Sequence, residues 1–372
     1  MKRIFSFIVV YVLLLMTLSC KEPKKNSVPP ITETSWTCSH GVVLRSGREI
    51  GFDILNTTQS GSFENNFIKA QELDINFIQI LQAWNQYETS AGVYNGSAVS
   101  NLSALSNYAL AKGVKLSIVI TPIDIPGRFT PAYLNGVKFD NALMISAFNN
   151  FIDHLFTQTV NPSIVNSFSV GNEIDHYNWA GNGDSPTEYQ NFLAAIKAIV
   201  NSYGIDLHFT GTLKGMQSQG STYTSMSNVV DKVSVTYYPQ SSSFIVNDPN
   251  VPEADLDSLV NFFPTGTDFF FQEVGYQTGS ANGSSELKQA QFFCNFFKAW
   301  DDHKDVISAA SILRFNDVSR ASAESTAVSY GLPGNEAFIQ YIQTLGIRTW
   351  EGNGYDKQSF QVIKSEIQKR NW

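Results

Sequence analysis

An alternation of strand-like and helix-like segments constrains the fold of this chain more than any other feature. Eight apolar, β-prone runs are separated by longer segments whose apolar residues recur with helical spacing. The runs cover residues 49–55, 76–81, 115–121, 164–170, 207–212, 232–237, 268–272 and 306–315. This rhythm is typical of parallel βα units.

Two α/β architectures fit such a rhythm, and the first strand separates them. A doubly wound sheet usually carries a glycine-rich phosphate loop after its first strand, and no such loop follows residue 55. The sequence therefore predicts an α/β protein with a single (β/α)8 TIM barrel over residues 42–372, without repeats or a second domain. We expect a closing helix over residues 335–345, and a last helix or strand over 355–369 that packs against the barrel base.

The first 41 residues differ in character from the barrel segment. Lys2 and Arg3 precede an apolar run over residues 4–18, which is too short for a membrane-spanning helix, and Ser19 and Cys20 follow it. A cysteine at this place resembles a bacterial lipoprotein signal, although Thr17 stands where that motif usually has Leu, Val or Ile. We predict a signal peptide over residues 1–19, lipidation of Cys20 and a tether over 20–41, hence an exported, membrane-anchored lipoprotein. The alternative is a plain secretory leader with an incidental cysteine.

Composition excludes several classes of function. The formal charge of −8 argues against a broad surface for nucleic acid or another polyanion, but not against a neutral polymer. The five histidines are scattered and no Cys-x-x-Cys or His-x-x-x-His pair occurs, so neither a metal nor an organic cofactor is predicted. Cys38 and Cys294 either form one bridge or stay separate, with Cys294 buried in a helix. We expect a monomer.

Two glutamates follow buried strand-like runs. Glu173 ends the stretch Ser-Val-Gly-Asn-Glu, and Glu273 ends the stretch Phe-Phe-Phe-Gln-Glu. In a parallel barrel the ends of strands four and seven face each other across the mouth, so the two carboxyl groups would form a pair. Breaking a glycosidic bond needs an acid that protonates the leaving oxygen and a second carboxylate that attacks carbon or activates water. The structural alternative for each glutamate is a solvated loop carboxylate or a helix cap.

Other common nucleophile systems do not occur in this sequence. There is no Gly-x-Ser-x-Gly elbow, no phosphate loop and no His-Glu-x-x-His. The carboxylate pair is therefore the constellation that best accounts for a chemical function.

The residues around the two glutamates resemble the motifs of the clan A retaining glycoside hydrolases, which are (β/α)8 barrels. The matching segments are 170–173 (Val-Gly-Asn-Glu), 235–239 (Val-Thr-Tyr-Tyr-Pro) and 273–276 (Glu-Val-Gly-Tyr), and within the clan they look most like those of β-1,3-glucan endohydrolases. The resemblance implies that Glu173 is the acid/base, Glu273 the nucleophile and Asn172 a hydrogen-bond partner of the sugar 2-hydroxyl. It also implies a strand-six tyrosine beside the nucleophile. Tyr237 and Tyr238 are the candidates, and Tyr238 is favoured because a proline follows it, as in several families of the clan.

Aromatic side chains at a barrel mouth can stack on the apolar face of a sugar. Trp84 follows the second strand and Trp179 lies in the loop after strand four, so both are candidate substrate contacts. The alternative for each is packing under a loop. Many clan members place a tryptophan at the end of strand eight, where this sequence has Leu-Arg-Phe-Asn-Asp over residues 313–317. Phe315 or another aromatic residue would then serve as the platform.

These observations predict an endo-acting, retaining β-glycoside hydrolase that cleaves a neutral β-glucan. The resemblance implies that the linkages of this glucan are β-1,3. Glu173 has to be protonated and Glu273 ionised before the bond breaks, so their surroundings must separate their pKa values. An enzyme of the same clan that acts on galactan, mannan or another hemicellulose is an alternative. A glycan-binding lipoprotein without turnover is another, but a pure binder would not need both glutamates.

Overall fold

The structure is a computed structural model that describes residues 36–372. Its eight main strands are β1 (Glu49–Phe52), β2 (Phe77–Ala83), β3 (Lys115–Thr121), β4 (Val165–Val170), β5 (Leu207–Thr212), β6 (Lys232–Tyr237), β7 (Phe269–Val274) and β8 (Ile307–Ile312). They are parallel, each pairs with its neighbours in sequence, and β8 pairs with β1 to close the barrel. The predicted TIM barrel is therefore confirmed.

Helices follow the barrel strands, and the last three come after β8. They are Phe63–Gln71, Trp84–Tyr87, Gly96–Lys112, Ala142–His154, Pro186–Ser202, Leu213–Ser218, Ser221–Ser227, Pro252–Phe262, Glu286–Asp302, Arg320–Ser329, Glu336–Gln343 and Gln358–Lys369. Local signals in the sequence set their starts. Ser185, for example, accepts a hydrogen bond from the backbone of Glu188 while the Glu188 side chain reaches back to it, and Pro186 occupies the first helical position.

The last helix, Gln358–Lys369, completes the outer ring of helices, and its C-terminal end lies at the barrel base. Gln358–Lys369 packs along Glu286–Asp302 on one side. On the other side its Lys364 pairs with Glu72, directly after the first helix, at 2.9 Å. Its C-terminal end reaches the barrel base, where Glu366 of the helix and Arg370 directly after it take part in buried ion pairs. The position predicted for this segment is therefore confirmed at this end of the helix. The apolar face of this helix is buried against the rest of the protein.

Side chains fill the barrel interior, as in other barrels of this size. Phe77 and Phe270 meet there with ring centroids 5.4 Å apart. Gly51 makes room for them, since a Cβ at this position would lie 2.1 Å from the Phe77 ring. Nearer the mouth the interior is polar: the Thr210 hydroxyl lies 2.5 Å from that of Ser169.

Buried ion pairs close the opposite end of the barrel, which we call the base. Arg48 directly precedes β1 and lies 2.8 Å from a carboxylate oxygen of Asp301. Arg370 contacts the second Asp301 oxygen at 2.6 Å and Glu366 at 2.7 Å. All four side chains are at most 4% exposed, so the two cations and two anions compensate each other away from water.

A disulfide fastens the N-terminal segment to the helical layer. Cys38 is bonded to Cys294 in Glu286–Asp302, with Cα atoms 5.7 Å apart. Of the two alternatives in the sequence, the bridge is thus the one in the structure. The predicted leader and Cys20 lie outside the described residues. Within residues 36–372, no helix is long and apolar enough to cross a membrane.

The largest departure from a plain barrel follows β8. This strand ends at Ile312, three residues before its predicted end, and residues 318–344 then form an excursion with two helices, Arg320–Ser329 and Glu336–Gln343. The helix predicted over 335–345 is therefore present, but it belongs to this excursion. We refer to residues 318–344 as the β8 excursion.

Candidate active site

The backbone turn after β4 carries Glu173 over the barrel mouth. Gly171 has a φ of +84° and Glu173 a φ of 44°, both in the left-handed region. A side chain at Gly171 would clash, because a Cβ there would lie 2.6 Å from Ile174 and 2.7 Å from the Tyr189 hydroxyl. Glycine is therefore required by both conformation and space. A non-glycine residue in this conformation stores backbone strain, which is frequent at functional sites.

Glu273 is held by the end of β7. It pairs in register with Thr236 of β6, next to a register shift between Val235 and Thr236. Such bulges re-aim side chains beside active sites. The Glu273 side chain is 8% exposed, and Glu173 is half-buried.

Each glutamate accepts one hydrogen bond from a hydroxyl group in β6 or directly after it. The Thr236 hydroxyl donates to Glu173 Oε1 at 2.7 Å. The Tyr238 hydroxyl donates to Glu273 Oε2 at 2.6 Å. β6 lies between β4 and β7 in the barrel, with β5 separating it from β4, so one segment of chain orients both carboxyl groups.

The surroundings raise the pKa of both glutamates but not equally. Burial raises the pKa of Glu173 well above its ordinary value, and the charge of Glu273 raises it further, although the hydrogen bond from Thr236 acts in the opposite direction. Burial also raises the pKa of Glu273, to about 7, but the hydrogen bond from Tyr238 and the charge of Arg314 act in the opposite direction. Glu273 is therefore the group that ionises more readily, and Glu173 the one that keeps its proton. This order is the one that the implied roles require, and the roles themselves stay a prediction.

Asn172 is fixed by a chain of buried hydrogen bonds. The Thr210 hydroxyl donates to Gln272 Oε1 at 2.6 Å, and Gln272 Nε2 donates to Asn172 Oδ1 at 3.2 Å. The amide nitrogen of Asn172 then donates to Asp124 Oδ1 at 3.3 Å. The polar interior of the barrel thus sets the orientation of the Asn172 amide.

Three charged residues at the mouth were missed by the sequence reasoning. Asp53 follows β1, Asp124 follows β3 in a short hairpin and Arg314 follows β8. Burial raises the pKa of Asp53, and it raises the pKa of Asp124 to about 6. Their common signal in the sequence is a charged residue within three positions of the C-terminal end of a barrel strand.

The structure does not bring every candidate residue to the mouth. Trp84 is fully buried, packs on Phe148 at 4.8 Å and donates its indole N–H to Glu88 at 2.9 Å. The Tyr237 hydroxyl donates to Asp255 at 2.9 Å, and its ring is 2% exposed. The predicted substrate contacts of Trp84 and Tyr237 are therefore wrong, because both side chains point into the helical layer.

Phe315 and Trp179 are also held by packing. Phe315 is fully buried and its ring lies 5.7 Å from that of Phe52, so it does not provide the platform expected at the end of strand eight. Trp179 is half-buried, with its ring 4.8 Å from Tyr177 and 5.4 Å from Tyr189. Its contact with a substrate stays a prediction.

One group of potential metal ligands occurs in the described part of the chain. Cys38, His40 and Cys294 have ligand atoms within 4.8 Å of one another. The two sulfur atoms are joined in the disulfide, so they are not thiolate ligands. This group lies in the N-terminal segment and the helical layer, apart from the two glutamates.

Comparisons with known proteins support the fold. No protein-family model matches the chain, and no curated protein matches it. A GH5_18 protein from Bifidobacterium longum subsp. longum ATCC 55813, solved in complex with Manb1-4GlcNAc, has a TM-score of 0.66 and 13% identity over 87% of this chain and 78% of that one. The exo-beta-1,4-mannosidase Op5Man5 from Opitutaceae bacterium strain TAV5 has a TM-score of 0.62 and 13% identity, over 86% of this chain and 59% of that one. A beta-glucosidase from Exiguobacterium marinum has a TM-score of 0.57 and 12% identity, over 83% of this chain and 87% of that one.

At such identities the similarity concerns the fold. The chain is a closed (β/α)8 barrel similar to those of glycoside hydrolases, with one half-buried and one buried glutamate after β4 and at the end of β7. That end of the barrel is where enzymes with this fold carry their active sites.

Proposed function

We propose that this protein is a retaining β-glycoside hydrolase that works by double displacement. The observation that carries the proposal is the pair Glu173 and Glu273, each oriented by one hydroxyl donor and each with a raised pKa, but with Glu273 the easier to ionise. A pair of carboxyl groups in opposite protonation states is what glycosidic cleavage requires.

In the first step, the free oxygen of Glu273 attacks the anomeric carbon of the sugar. The bond to the leaving oxygen breaks, and this oxygen takes the proton of Glu173. Tyr238 holds the other Glu273 oxygen and favours the ionised nucleophile. After the step Glu273 is an uncharged ester and Glu173 is ionised.

In the second step, Glu173 accepts a proton from water while the water oxygen attacks the anomeric carbon. The ester bond to Glu273 breaks, and both residues return to their initial states. Loss of the negative charge on Glu273 in the intermediate lowers the pKa of Glu173, which allows it to act as a base. Asn172 would donate a hydrogen bond to the sugar 2-hydroxyl throughout.

Two substrate classes follow from two different observations. The motifs around Asn172, Tyr238 and Glu273 favour a neutral β-glucan with β-1,3 linkages, cleaved internally. The names of two structural neighbours, which concern Manb1-4GlcNAc and exo-beta-1,4-mannosidase activity, favour β-1,4-mannosyl substrates as the second candidate. A glycan-binding protein without turnover is disfavoured, because binding alone gives no reason to keep two raised-pKa carboxyl groups together.

The test is a hydrolysis screen with laminarin, β-1,4-mannan, β-1,4-galactan and their oligosaccharides. We expect release of reducing ends from one class, and proton NMR of the first products should show the β-anomer. Glu173→Ala and Glu273→Ala should each abolish release. Glu253→Ala, an exposed glutamate paired with Lys298, serves as the matched control. Release of the α-anomer, or full activity of either active-site variant, would contradict the mechanism.

We also propose that the chain is exported and anchored through Cys20. The Cys38–Cys294 disulfide supports this, because such bridges persist mainly in oxidising compartments. Cys20→Ser should move the protein from the membrane fraction to the soluble fraction of fractionated cells, and Cys38→Ser should not. Retention of Cys20→Ser in the membrane fraction would contradict the anchor.

A further inference from the structure

The β8 excursion has a core of its own. Its two helices pack through a cluster of buried apolar residues, Val318, Ala323, Ala327, Phe338, Ile339 and Ile342, against which Phe244 from the loop after β6 also packs. Arg320 joins the helices by contacting both carboxylate oxygens of Glu336 at 2.7 Å. The excursion is therefore a packed unit, which can hold side chains in fixed positions.

This unit presents two tyrosines to the catalytic pair. The ring of Tyr341 lies 5.7 Å from that of Tyr238, at 80°, and the Tyr238 hydroxyl is the donor to Glu273. One aromatic ring thus separates Tyr341 from the nucleophile. Tyr330 follows the first helix of the excursion, and its ring lies 5.5 Å from Phe338, which in turn lies 6.0 Å from Tyr341.

The electrostatics agree with this placement. Burial raises the pKa of Tyr341, and the charges of Glu173 and Glu273 raise it further. The pKa of Tyr330 is raised by burial and then by Asp124, Glu173 and Glu273, with Arg314 acting in the opposite direction. Tyr330 therefore interacts with charges from both sides of the mouth, while 41% of the residue remains exposed.

Polar groups of this region have unused hydrogen-bonding capacity. Within residues 36–372, neither the Tyr330 nor the Tyr341 hydroxyl has a hydrogen-bond partner, whereas those of Tyr237 and Tyr238 bind carboxylates. Arg314 donates one long hydrogen bond, to the Ile342 carbonyl at 3.4 Å, although a guanidinium has five N–H groups. Aromatic rings next to free donors match a pyranose, which has apolar faces and a rim of hydroxyl groups.

We propose that Tyr330, Tyr341 and Arg314 form a sugar-binding subsite beside the two glutamates. The subsite takes a pyranose unit of a neutral β-linked saccharide and deepens the proposed function, on which it rests. It supplies from the β8 excursion the aromatic contact that the end of β8 lacks, because Phe315 is buried. The exposed ring of Tyr330 contacts a face of the sugar, and Tyr341 lines the side of the subsite toward Tyr238. Arg314 donates hydrogen bonds to the sugar hydroxyl groups.

The kinetic test compares variants of the subsite with variants outside it. Tyr330→Ala and Arg314→Met should each raise KM for laminarihexaose or mannohexaose, whichever the enzyme cleaves, about tenfold, with a smaller change in kcat. Tyr330→Phe should restore most of the loss. The controls are Val328→Ala, an exposed residue in the helix that Tyr330 follows, and Tyr355→Ala, an exposed tyrosine near Thr349. Because Tyr341 is half-buried, Tyr341→Phe is paired with Tyr341→Ala and the melting temperatures are compared.

A binding test separates this subsite from the proposed function. Calorimetric titration of Glu173→Gln with laminaritriose and mannotriose requires no turnover, and adding Tyr330→Ala should weaken binding about tenfold. If the wild type hydrolyses neither glycan but binding still depends on Tyr330, the proposed function fails and the subsite stands. If the wild type is active while Tyr330→Ala and Arg314→Met bind and react like the controls, the subsite is overturned. Absence of both binding and hydrolysis would overturn both.

Discussion

The two ends of the barrel use buried charge in opposite ways. At the base, the buried cations Arg48 and Arg370 face the buried anions Asp301 and Glu366, and the partly exposed Lys369 also pairs with Glu366 at 2.7 Å. Burial alone would raise the pKa of Asp301, but hydrogen bonds from Arg370 and Arg48 hold it below its ordinary value. Charge at the base is therefore compensated and serves the fold.

At the mouth, buried carboxyl groups outnumber the cations that act on them. Glu173 and Glu273 share the space with Asp124 and Asp53, and Arg314 is the cation that acts on this group. The pKa values of all four carboxyl groups are raised, chiefly by burial. Uncompensated burial destabilises ionised carboxyl groups, and this is the condition under which one of them retains a proton for catalysis. The following predictions test this contrast, from the largest effect to the smallest.

Removing the carboxyl groups of the mouth should have the largest effect on activity. The two variants should differ in their kinetics, because the two glutamates have different roles. Glu273→Gln removes the nucleophile and should abolish turnover of every substrate. Glu173→Gln should lower kcat about 10²–10⁴-fold on natural glycans. It should retain the first step on a dinitrophenyl glycoside, whose leaving group needs no proton, and azide should then release the sugar. Steady-state kinetics and a burst of dinitrophenol measure both, and an identical pattern in the two variants would contradict the separate roles.

Breaking compensation at the base should have the largest effect on stability. Asp301→Asn leaves Arg48 and Arg370 buried with too few anions, so the free energy of unfolding should fall by about 3–5 kcal/mol. Denaturant titration measures this quantity. The neighbouring Asp302→Asn, whose carboxylate is about half exposed and pairs with Lys298, is the control and should change it by less than about 0.5 kcal/mol. Equal effects of the two variants would contradict the structural role of the base network.

The same kind of substitution at the mouth should stabilise the fold. The pKa of Glu273 rises from an ordinary 4.5 to about 7 on folding, so between these values the folded state binds more protons than the unfolded state. Stability therefore falls as pH rises through this range. Glu273→Gln should remove that loss and stabilise the protein by about 1–3 kcal/mol at pH 8, but not at pH 4. A destabilised variant at pH 8 would show that the carboxylate is compensated after all.

The smallest effect concerns the pH dependence of kcat/KM. Activity should rise as Glu273 ionises, through an apparent pKa near 7, and fall at higher pH as Glu173 loses its proton. Tyr238→Phe removes a donor to the ionised Glu273, so the acid limb should move up by about one pH unit. Tyr237→Phe is the matched control and should leave the limb in place, because its hydroxyl binds Asp255. Equal shifts in both variants would contradict the assignment.

The strand order and the two glutamates could be predicted because their signals are local. Each strand shows as a short apolar run, and each glutamate comes at the end of one. The same logic should have excluded Tyr237: side chains alternate along a strand, so if Thr236 and Tyr238 face the site, Tyr237 faces the helices. The predicted substrate contact of Trp84 was wrong for another reason, because the side chain of a residue after a strand can turn toward either the mouth or the helices.

The rest of the mouth depends on contacts between distant segments. Tyr330 and Tyr341 approach the glutamates only because the β8 excursion folds back on Phe244 from the loop after β6. Nothing in the local sequence of either tyrosine indicates this return. Likewise, the raised pKa values follow from how many groups are buried together, which no single segment determines.

The covalent intermediate gives the most direct test of the central claim, that Glu273 is the nucleophile of a retaining glycosidase. The protein would be incubated with dinitrophenyl 2-deoxy-2-fluoro-β-glucoside or its mannose counterpart, and the intact mass and peptic peptides would be measured. We predict one added fluoroglycosyl group on the peptide that contains Glu273, no such adduct in Glu273→Gln, and recovery of activity as the adduct hydrolyses. Labelling of a different carboxylate, or hydrolysis of natural glycans without any trapped adduct, would contradict the account.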